Sequence, residues 1–243
     1  MFKKLLLILI LAVLVTGGAF AQEAGTFSIG ARLGPSFGFH DLTDAVKKAE
    51  AELGGMVSIN DTGLVNFNFA LYGAYTIIDN LSLAAELNFH INQGYKITGS
   101  IAIPFLGNIS SEGKAYYSSL DLPILVKYNF LQDPAVFGVL VGPHFSFPLG
   151  KADMEYEASM MGISEKGSEK YDIEGITAGL TLGVFGGYKV GPGRFIGDLR
   201  FIFDFNSIKI IDTYIINGVS IKQKEDVMKR RALVLTVGYE ISF

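Results

Sequence analysis

The strongest restriction on the fold is an alternation of apolar with small or polar residues that recurs along the sequence and reaches its last residue. In VLTVGYEISF, residues 234–243, apolar side chains stand at every second position from Leu235 to Phe243. Side chains two residues apart in a β-strand lie on the same face. The segment therefore predicts a strand with one apolar face, and the rest of the chain has to indicate what that face contacts.

The same alternation occurs in seven earlier segments. The first of them, TFSIGARLGPSFGF, sets Phe27, Ile29 and Leu33 against Ser28 and Arg32. The eight predicted strands cover residues 26–39, 64–77, 81–97, 116–130, 135–147, 176–190, 195–205 and 233–243. Each of them reaches the roughly 9–11 residues that a tilted strand needs to cross a membrane.

The connections between these strands alternate in length. Those at 77–80, 131–134 and 191–193 are short and rich in turn-forming residues, whereas those near 40–63, 98–115, 148–175 and 206–230 are long. Outer-membrane barrels have this asymmetry, with short turns in the periplasm and long loops outside the cell. The prediction is an all-β fold, an eight-stranded antiparallel up-and-down transmembrane β-barrel with short periplasmic turns and long extracellular loops.

Periodicity alone does not decide which face points outward, because a soluble lipocalin-like barrel also alternates, with its apolar face inside. The polar face here consists mostly of Gly, Ser, Thr, Ala and Asn, whereas an exterior in water would carry many Lys and Glu residues. Aromatic residues gather near both strand ends, which favours two membrane-interface girdles. We therefore expect Leu87, Val126 and Leu199 to face hydrocarbon.

The N-terminal residues predict export. A charged start precedes an apolar run over residues 5–15, and Ala19 and Ala21 fit a cleavage site. Residues 1–21 are therefore predicted to be a cleaved signal peptide and residues 22–243 the barrel domain. The sequence contains no cysteine, which excludes a disulfide framework, and its net charge of -4 without a basic cluster argues against nucleic acid as a partner.

Several stretches carry a resemblance to a known family. The segments SSLDLPILVKYNF, AVFGVLVGPHFSF, LTLGVFGGYKV with GDLRFIFDF, and the terminal GYEISF resemble the outer-membrane β-barrel domain family of small porin-like barrels. The resemblance implies the fold and a location in the bacterial outer membrane, but no catalytic residue and no cofactor, because members of the family differ in function. Tyr239, Ile241 and Phe243 are similar to the terminal signal that the barrel assembly machinery recognises.

Charged residues on the polar face predict a network in the lumen. Counted from the short turns, Arg32, Glu86 and Arg200 share one height, and Lys127 and Asp198 share a lower one. Eight strands enclose an interior that side chains can just fill, and a buried charge needs a partner. The residues therefore predict either a structural plug or an ion path.

Three prolines, Pro35, Pro123 and Pro143, stand inside predicted strands of a barrel that has no free edge. A proline removes one hydrogen-bond donor from the ladder. We therefore expect β-bulges near these residues, each of which would shift the inward and outward phase by one residue.

Two of the long loops have patterns of their own. Asp41 can cap a helix over residues 41–53, which two glycines would end. Residues 208–223 alternate on both sides of Asn217-Gly218, which predicts a hairpin that continues beyond the membrane. Its open edge either captures an extracellular protein by strand addition or shields the barrel mouth.

Catalytic and metal sites have little support in the sequence. His144 and Ser146, in the order HFS, are similar to the His-x-Ser element of lipid A deacylases, and Glu174 is the nearest candidate acid, but the pair falls on the lumen face. His40, His90 and His144 share that face without the spacing of metal ligands.

These observations predict a monomeric, non-enzymatic barrel with a structural, surface-interaction or adhesion role. Its expected partners are outer-membrane lipid, the barrel assembly machinery and an extracellular protein that contacts the loops. A small-solute channel is the alternative function, and a lipid A-modifying enzyme is the third.

Overall fold

The computed structural model describes residues 24–40, 57–103, 107–131, 134–160, 163–216 and 219–243. Its strands are β1 (Phe27–His40), β2 (Val57–Gly63), β3 (Val65–Ile78), β4 (Leu81–Ile103), β5 (Gly107–Leu131), β6 (Ala135–Met160), β7 (Ile163–Glu174), β8 (Thr177–Val190), β9 (Gly193–Asp204), β10 (Ile208–Ile216), β11 (Val219–Met228) and β12 (Arg230–Ser242). In these parts of the chain, no helix has the length and apolar character needed to span a bilayer. The predicted signal peptide with Ala19 and Ala21, and the helix predicted over 41–53, lie outside the described residues.

Eight of the strands close into a ring by antiparallel pairing, in the order β1, β3, β4, β5, β6, β8, β9, β12. The first and last strands close the ring, with pairs from Ser28↔Ser242 to His40↔Arg230. The predicted eight-stranded antiparallel barrel is therefore confirmed. Each predicted segment corresponds to one strand of the ring.

Side chains of the ring alternate between the outer surface and the interior. Leu87, Val126 and Leu199 are 44%, 42% and 41% exposed on the outside. Their chain neighbours Glu86 and Arg200 point inward and are 4% and 3% exposed. The expectation that the apolar face points outward is confirmed, and an apolar surface of this extent is stable in lipid rather than in water.

Aromatic side chains on the outside lie near both ends of the ring. At the short-turn end, the rings of Phe195 and Tyr239 meet edge to face with their centres 5.2 Å apart. At the opposite end, the ring centres of Phe203 and Phe205 are 5.7 Å apart. Such rings favour the headgroup level of a bilayer, so they bound the apolar band on both sides.

The three prolines leave the strand register unchanged. Pairing of β1 with β12 keeps one register on both sides of Pro35, and pairing of β6 with β8 passes through Pro143 without a shift. Pairing of β5 with β6 also keeps its register at Pro123. The predicted bulges are therefore wrong. A proline lacks a single N–H, which in an antiparallel strand points to one neighbour only, so one ladder bond is lost and the alternation continues.

A bulge does occur in β4, at the place where the strand leaves the apolar band. Its register with β5 shifts by one residue between His90 and Gln93. Asn92 adopts a positive φ of 55°, and its backbone N–H donates to Ser118 Oγ at 3.3 Å. The extra residue changes which side chains of β4 are buried. Up to His90 they belong to residues with even numbers, and from Gln93 onward they belong to residues with odd numbers.

The long connections that were predicted as loops are largely strands. β4 and β5 stay paired as far as Ile103 and Gly107, β6 and β7 as far as Met160 and Ile163, and β2 adds to the edge of β4. With β10 and β11 they form a sheet beyond the ring, in the order β2, β4, β5, β6, β7, β10, β11. We call it the protruding sheet, and it comprises residues 57–63, 93–103, 107–117, 151–160, 163–174, 208–216 and 219–228.

The β10–β11 hairpin is attached to this sheet by a short contact. Among the described residues, β10 pairs with β7 through residues 209–211. Pairing of β10 with β11 continues to Ile216↔Val219, which confirms the predicted hairpin. Its turn residues, Asn217 and Gly218, lie outside the described residues.

The protruding sheet inverts the apolar pattern of the barrel. Its inward side carries a buried cluster of Tyr95, Ala115, Tyr117, Ala152 and Ile208, against which Ile97, Met154 and Ile173 pack. Its outward side carries lysines and carboxylates that meet water. The sequence prediction ended these strands too early because their outward face lies in water. That face is polar and lacks the apolar residues at every second position that mark the membrane band.

Candidate functional site

The structure brings four of the five charged residues predicted for the lumen into contact. Arg200 Nη1 lies 2.6 Å from Glu86 Oε2, and Arg200 Nε lies 2.9 Å from Asp198 Oδ1. Arg32 pairs with Glu86 and lies 3.3 Å from Asp198. Each cation therefore contacts both carboxylates, and we call these four residues the lower cluster.

Lys127, the fifth residue, faces a different carboxylate. Its Nζ lies 3.9 Å from Glu240 Oε2 and 4.5 Å from the ring centre of Phe185. Glu240 also accepts a hydrogen bond from Tyr72 Oη at 3.0 Å. Glu240 stands on the polar face of the last predicted strand, so the alternation contains the information needed to find it. Matching by height alone pairs Lys127 with Asp198 instead.

A second group of charges, which we call the upper cluster, lies nearer the protruding sheet and was not predicted. At its centre, Arg230 Nη2 lies 2.8 Å from Asp121 Oδ2 and 3.1 Å from Asp204 Oδ1. Arg230 Nη1 donates to Gln93 Oε1 at 2.9 Å. Asp121 and Asp204 occupy polar-face positions of predicted strands, whereas Arg230 falls at the end of a predicted loop and escapes the pattern.

Each carboxylate of the upper cluster also contacts a histidine. His90 Nε2 lies 3.3 Å from Asp121, and His144 Nε2 lies 2.7 Å from Asp204. The other ring nitrogen of His144 is 3.0 Å from Thr181 Oγ1. Across the described part of the chain, no three His, Cys, Asp or Glu side chains are grouped so as to hold a metal ion.

These contacts correct the acid that the sequence suggested for the lipid A deacylase hypothesis. Asp204 is the carboxylate beside His144, whereas Glu174 lies in β7 opposite Lys209. His144 and Ser146 are 1% and 2% exposed inside the ring. A lipid on the outer surface is therefore separated from both side chains by the wall of the barrel.

Side chains occupy the lumen at both levels. Below the lower cluster, a cavity of about 10 Å³ lined in part by Ser28, Lys127 and Glu240 has room for about one water molecule. Removing one partner of a buried ion pair costs about 3–5 kcal/mol, because the remaining charge has no compensation. The two clusters therefore tie the strands of the ring to one another across the interior.

Glu86→Leu is expected to lower the temperature at which the protein unfolds in heat-modified gel electrophoresis, with a loss of about 3–5 kcal/mol. The reason is that Arg32 and Arg200 lose one of the two carboxylates they share and keep only Asp198. Conductance in planar bilayers is expected to stay unchanged, because leucine and both arginines still occupy the lumen. Glu155→Leu, at an exposed position of the protruding sheet, is the control and should leave both measurements unchanged. A large new conductance would instead favour an ion path.

The outward side of the protruding sheet carries exposed ion pairs. Lys166 Nζ lies 2.9 Å from Glu157 Oε2. Hydrogen bonds from Lys96 and Lys114 hold the pKa of Glu112 below its usual value. Two grooves of about 400 and 460 Å³ lie on this side, and both are lined by Glu112 and Glu157. Because water screens exposed pairs, they add little to stability, and this side is chiefly a water-compatible surface.

The residues that resemble the assembly signal lie on the outside of the last strand. Tyr239 Oη donates to the Val190 carbonyl at 2.9 Å. Phe243 is exposed, and its backbone N–H and C=O pair with Phe27. Ile241 lies between them on the same face. Recognition of these residues by the assembly machinery stays a prediction.

A closed ring of eight antiparallel strands that is apolar outside and polar inside defines a transmembrane β-barrel of the bacterial outer membrane. The family model described as outer membrane protein beta-barrel domain matches residues 20–209. The chain belongs to this family, and the resemblance found in the sequence is confirmed.

Similar solved structures come from several bacteria. Neisserial surface protein A is 15% identical, with 90% of this chain and 99% of that chain covered at a TM-score of 0.41. A major outer membrane protein from Thermus thermophilus is 15% identical, with 91% and 100% covered at a TM-score of 0.48. The outer membrane protease OmpT from Escherichia coli is 12% identical, with 93% and 100% covered at a TM-score of 0.47. No curated protein matches the chain.

Proposed function

We propose that this outer-membrane barrel has a surface-interaction or adhesion role without enzymatic activity, and that the protruding sheet contacts a molecule outside the cell. The observation that carries the proposal is the contrast between a lumen occupied by paired charges and a sheet that continues beyond the apolar band. Connecting the strands of a barrel requires turns and loops, not a further sheet. A sheet held to the ring by the buried cluster around Tyr95 and Tyr117 supports a role of its own.

Open edges of the protruding sheet support binding of another protein. Among the described residues, β2 pairs on one side with β4, and β11 pairs on one side with β10. An unpaired edge can accept an extended segment through backbone hydrogen bonds. If the hairpin only shielded the barrel mouth, no binding would depend on these edges.

A small-solute channel is the second candidate, and the contents of the lumen argue against it. Glu86, Arg200 and Arg230 are almost fully buried and belong to ion pairs at two levels. A solute could pass only if several of these pairs separated, at a cost of a few kcal/mol each. Lipid A modification has less support still, because His144 and Ser146 face the interior.

Shortening the protruding sheet is expected to abolish adhesion and to preserve the barrel. In one variant an Asn-Gly turn replaces residues 213–222, so that the pair Asp212↔Gln223 closes the hairpin. In a second variant the same turn replaces residues 99–111 after the pair Thr98↔Glu112. Protein in liposomes is tested for saturable adhesion to immobilised extracellular-matrix proteins and glycans, and heat-modified gel mobility reports whether the barrel is folded.

Adhesion of the intact protein that disappears in either folded variant supports the proposal. Adhesion that survives both changes places the contact elsewhere and contradicts it. Steady conductance of the intact protein in planar bilayers, without adhesion, would favour the channel.

A further inference from the structure

We propose that the inward side of the protruding sheet, together with the free edge of β7, binds a cationic amphipathic peptide segment as an added strand. The inference rests on the proposed function and specifies the chemistry of the partner. The surface concerned consists of Tyr156, Ile163, Glu165, Gly167 and Glu169, and we call it the β7 surface.

The two sides of the protruding sheet differ in their balance of charge. The outward side carries the lysines at positions 96, 114, 151, 166 and 170, each beside a carboxylate of the same side. The inward side carries Glu165 and Glu169, placed there by their pairing with Ala158 and Met154. Among the described side chains of the inward side there is no lysine or arginine. A partner that contacts this side therefore meets uncompensated negative charge.

The carboxylates of the β7 surface differ in their contacts. Glu169 accepts a hydrogen bond from the Tyr171 hydroxyl. Glu165 contacts no cation within the described chain and is exposed. The two stand four residues apart on one face, with Gly167 between them. Lysine or arginine side chains at the first and fifth positions of an added strand would lie opposite them.

An apolar floor lies beside these carboxylates. Tyr156 and Ile163 are 49% and 77% exposed on the inward side. A Cβ at Gly167 would collide with the Tyr156 ring, so this ring extends over β7 toward its free edge. An apolar residue at the third position of an added strand would pack on Tyr156. Exposed apolar side chains grouped in this way are typical of a contact surface.

The edge of β7 is open to a partner strand. β7 pairs with β6 along its length, from Lys151↔Asp172 to Met160↔Ile163. On its other side it pairs with β10 only through residues 172–174, and residues 163–170 have no strand partner there among the described residues. The backbone N–H and C=O groups of this edge can therefore bind an extended peptide, whose alternate side chains reach the β7 surface.

The added strand is therefore predicted to carry basic residues at its first and fifth positions and an apolar residue at its third, with any residue at the second and fourth. The probe is a fluorescein-labelled peptide, Ser-Lys-Thr-Ile-Thr-Lys-Ser, and its binding to the intact protein in zwitterionic nanodiscs is measured by fluorescence anisotropy. Two control peptides carry glutamate in place of both lysines, or proline in place of isoleucine. The lysine peptide is expected to bind at least about tenfold more tightly than either control, because charge and strand pairing both contribute.

Charge reversal on the protein distinguishes the β7 surface from general electrostatics. The double substitution Glu165→Lys with Glu169→Lys is expected to weaken binding of the lysine peptide about tenfold and to strengthen binding of the glutamate peptide. Glu155→Lys with Glu157→Lys makes the same change in net charge on the outward side and should change the affinity of neither peptide by more than about twofold. Heat-modified gel mobility verifies that both double variants are folded.

Equal binding of the lysine and glutamate peptides, or equal weakening by the two double variants, would overturn the inference. Binding that appears only after removal of residues 42–55 would also overturn it, because the surface would then belong to that segment of the chain. Adhesion that is lost when the sheet is shortened, without binding of the lysine peptide, would overturn this inference alone and leave the proposed function standing.

Discussion

Arg230→Met is expected to lower the free energy of unfolding by about 3–5 kcal/mol, which is a large part of the stability of a domain of this size. Arg230 is 1% exposed, and its loss leaves Asp121 and Asp204 without their shared cation inside the barrel. Gln93 also loses its hydrogen-bond donor. Urea unfolding in phospholipid vesicles, followed by circular dichroism because the chain has no tryptophan, measures the effect.

Two comparisons separate the ion pairs from the loss of a long side chain. Lys229→Met changes the adjacent, exposed residue and should cost less than about 0.5 kcal/mol. Adding Asp121→Asn and Asp204→Asn to Arg230→Met should recover part of the loss, because neutral amides need no cation. An Arg230→Met protein as stable as the Lys229→Met protein would show that the upper cluster does not hold the barrel together.

Insertion of one serine between Asn92 and Gln93 is expected to unfold much of the protruding sheet while the barrel persists. Because the bulge accommodates one extra residue, a second would turn Tyr95 and Ile97 from the buried cluster to the outward side in water. Exposure of an aromatic and an aliphatic side chain costs about 1.5–3 kcal/mol each, so cleavage by trypsin after Lys96 and Lys114 should accelerate at least about 100-fold. Limited proteolysis of the protein in liposomes measures this rate.

Asn92→Gly is the matched control for this insertion. Asn92 has a positive φ of 55°, which glycine adopts without strain, so the substituted protein should keep the bulge and resist trypsin like the original. Its heat-modified gel mobility should match that of the insertion variant, since both retain the ring. If the insertion variant resisted trypsin as well as Asn92→Gly, the single extra residue at the bulge would not determine which side of β4 faces water.

The strands of the ring were predictable because contact with lipid requires a regular alternation of apolar and polar residues. Hydrocarbon excludes polar side chains from one face, so the alternation around Leu87 and Val126 is regular and gives both the strands and their facing. The same regularity places Arg32, Glu86 and Arg200 in the lumen at similar heights. Their contacts follow because eight strands leave little space between opposite walls.

The protruding sheet was not predictable in the same way. Beyond the membrane both faces of a strand can carry polar residues, so the sequence of β7, ISEKGSEKYDIE, has the composition of a loop. The bulge at Asn92 leaves no local sequence mark, because asparagine also stands inside regular parts of the strands, as at Asn66 and Asn88, where it has no positive φ. Arg230 was missed for a related reason, since the start of β12 has no apolar neighbours on its outward side to mark a strand.

Apart from the Asp198–Arg200 pair within β9, the interior ion pairs between described residues of the ring join different strands. Arg32 belongs to β1, Glu86 to β4 and Arg200 to β9, while Arg230 of β12 neutralises Asp121 of β5. A partly inserted barrel would thus present bare charges to hydrocarbon until its two terminal strands met. The distribution of these side chains favours a concerted entry into the bilayer, in which closure of the cylinder and neutralisation of its contents are one event.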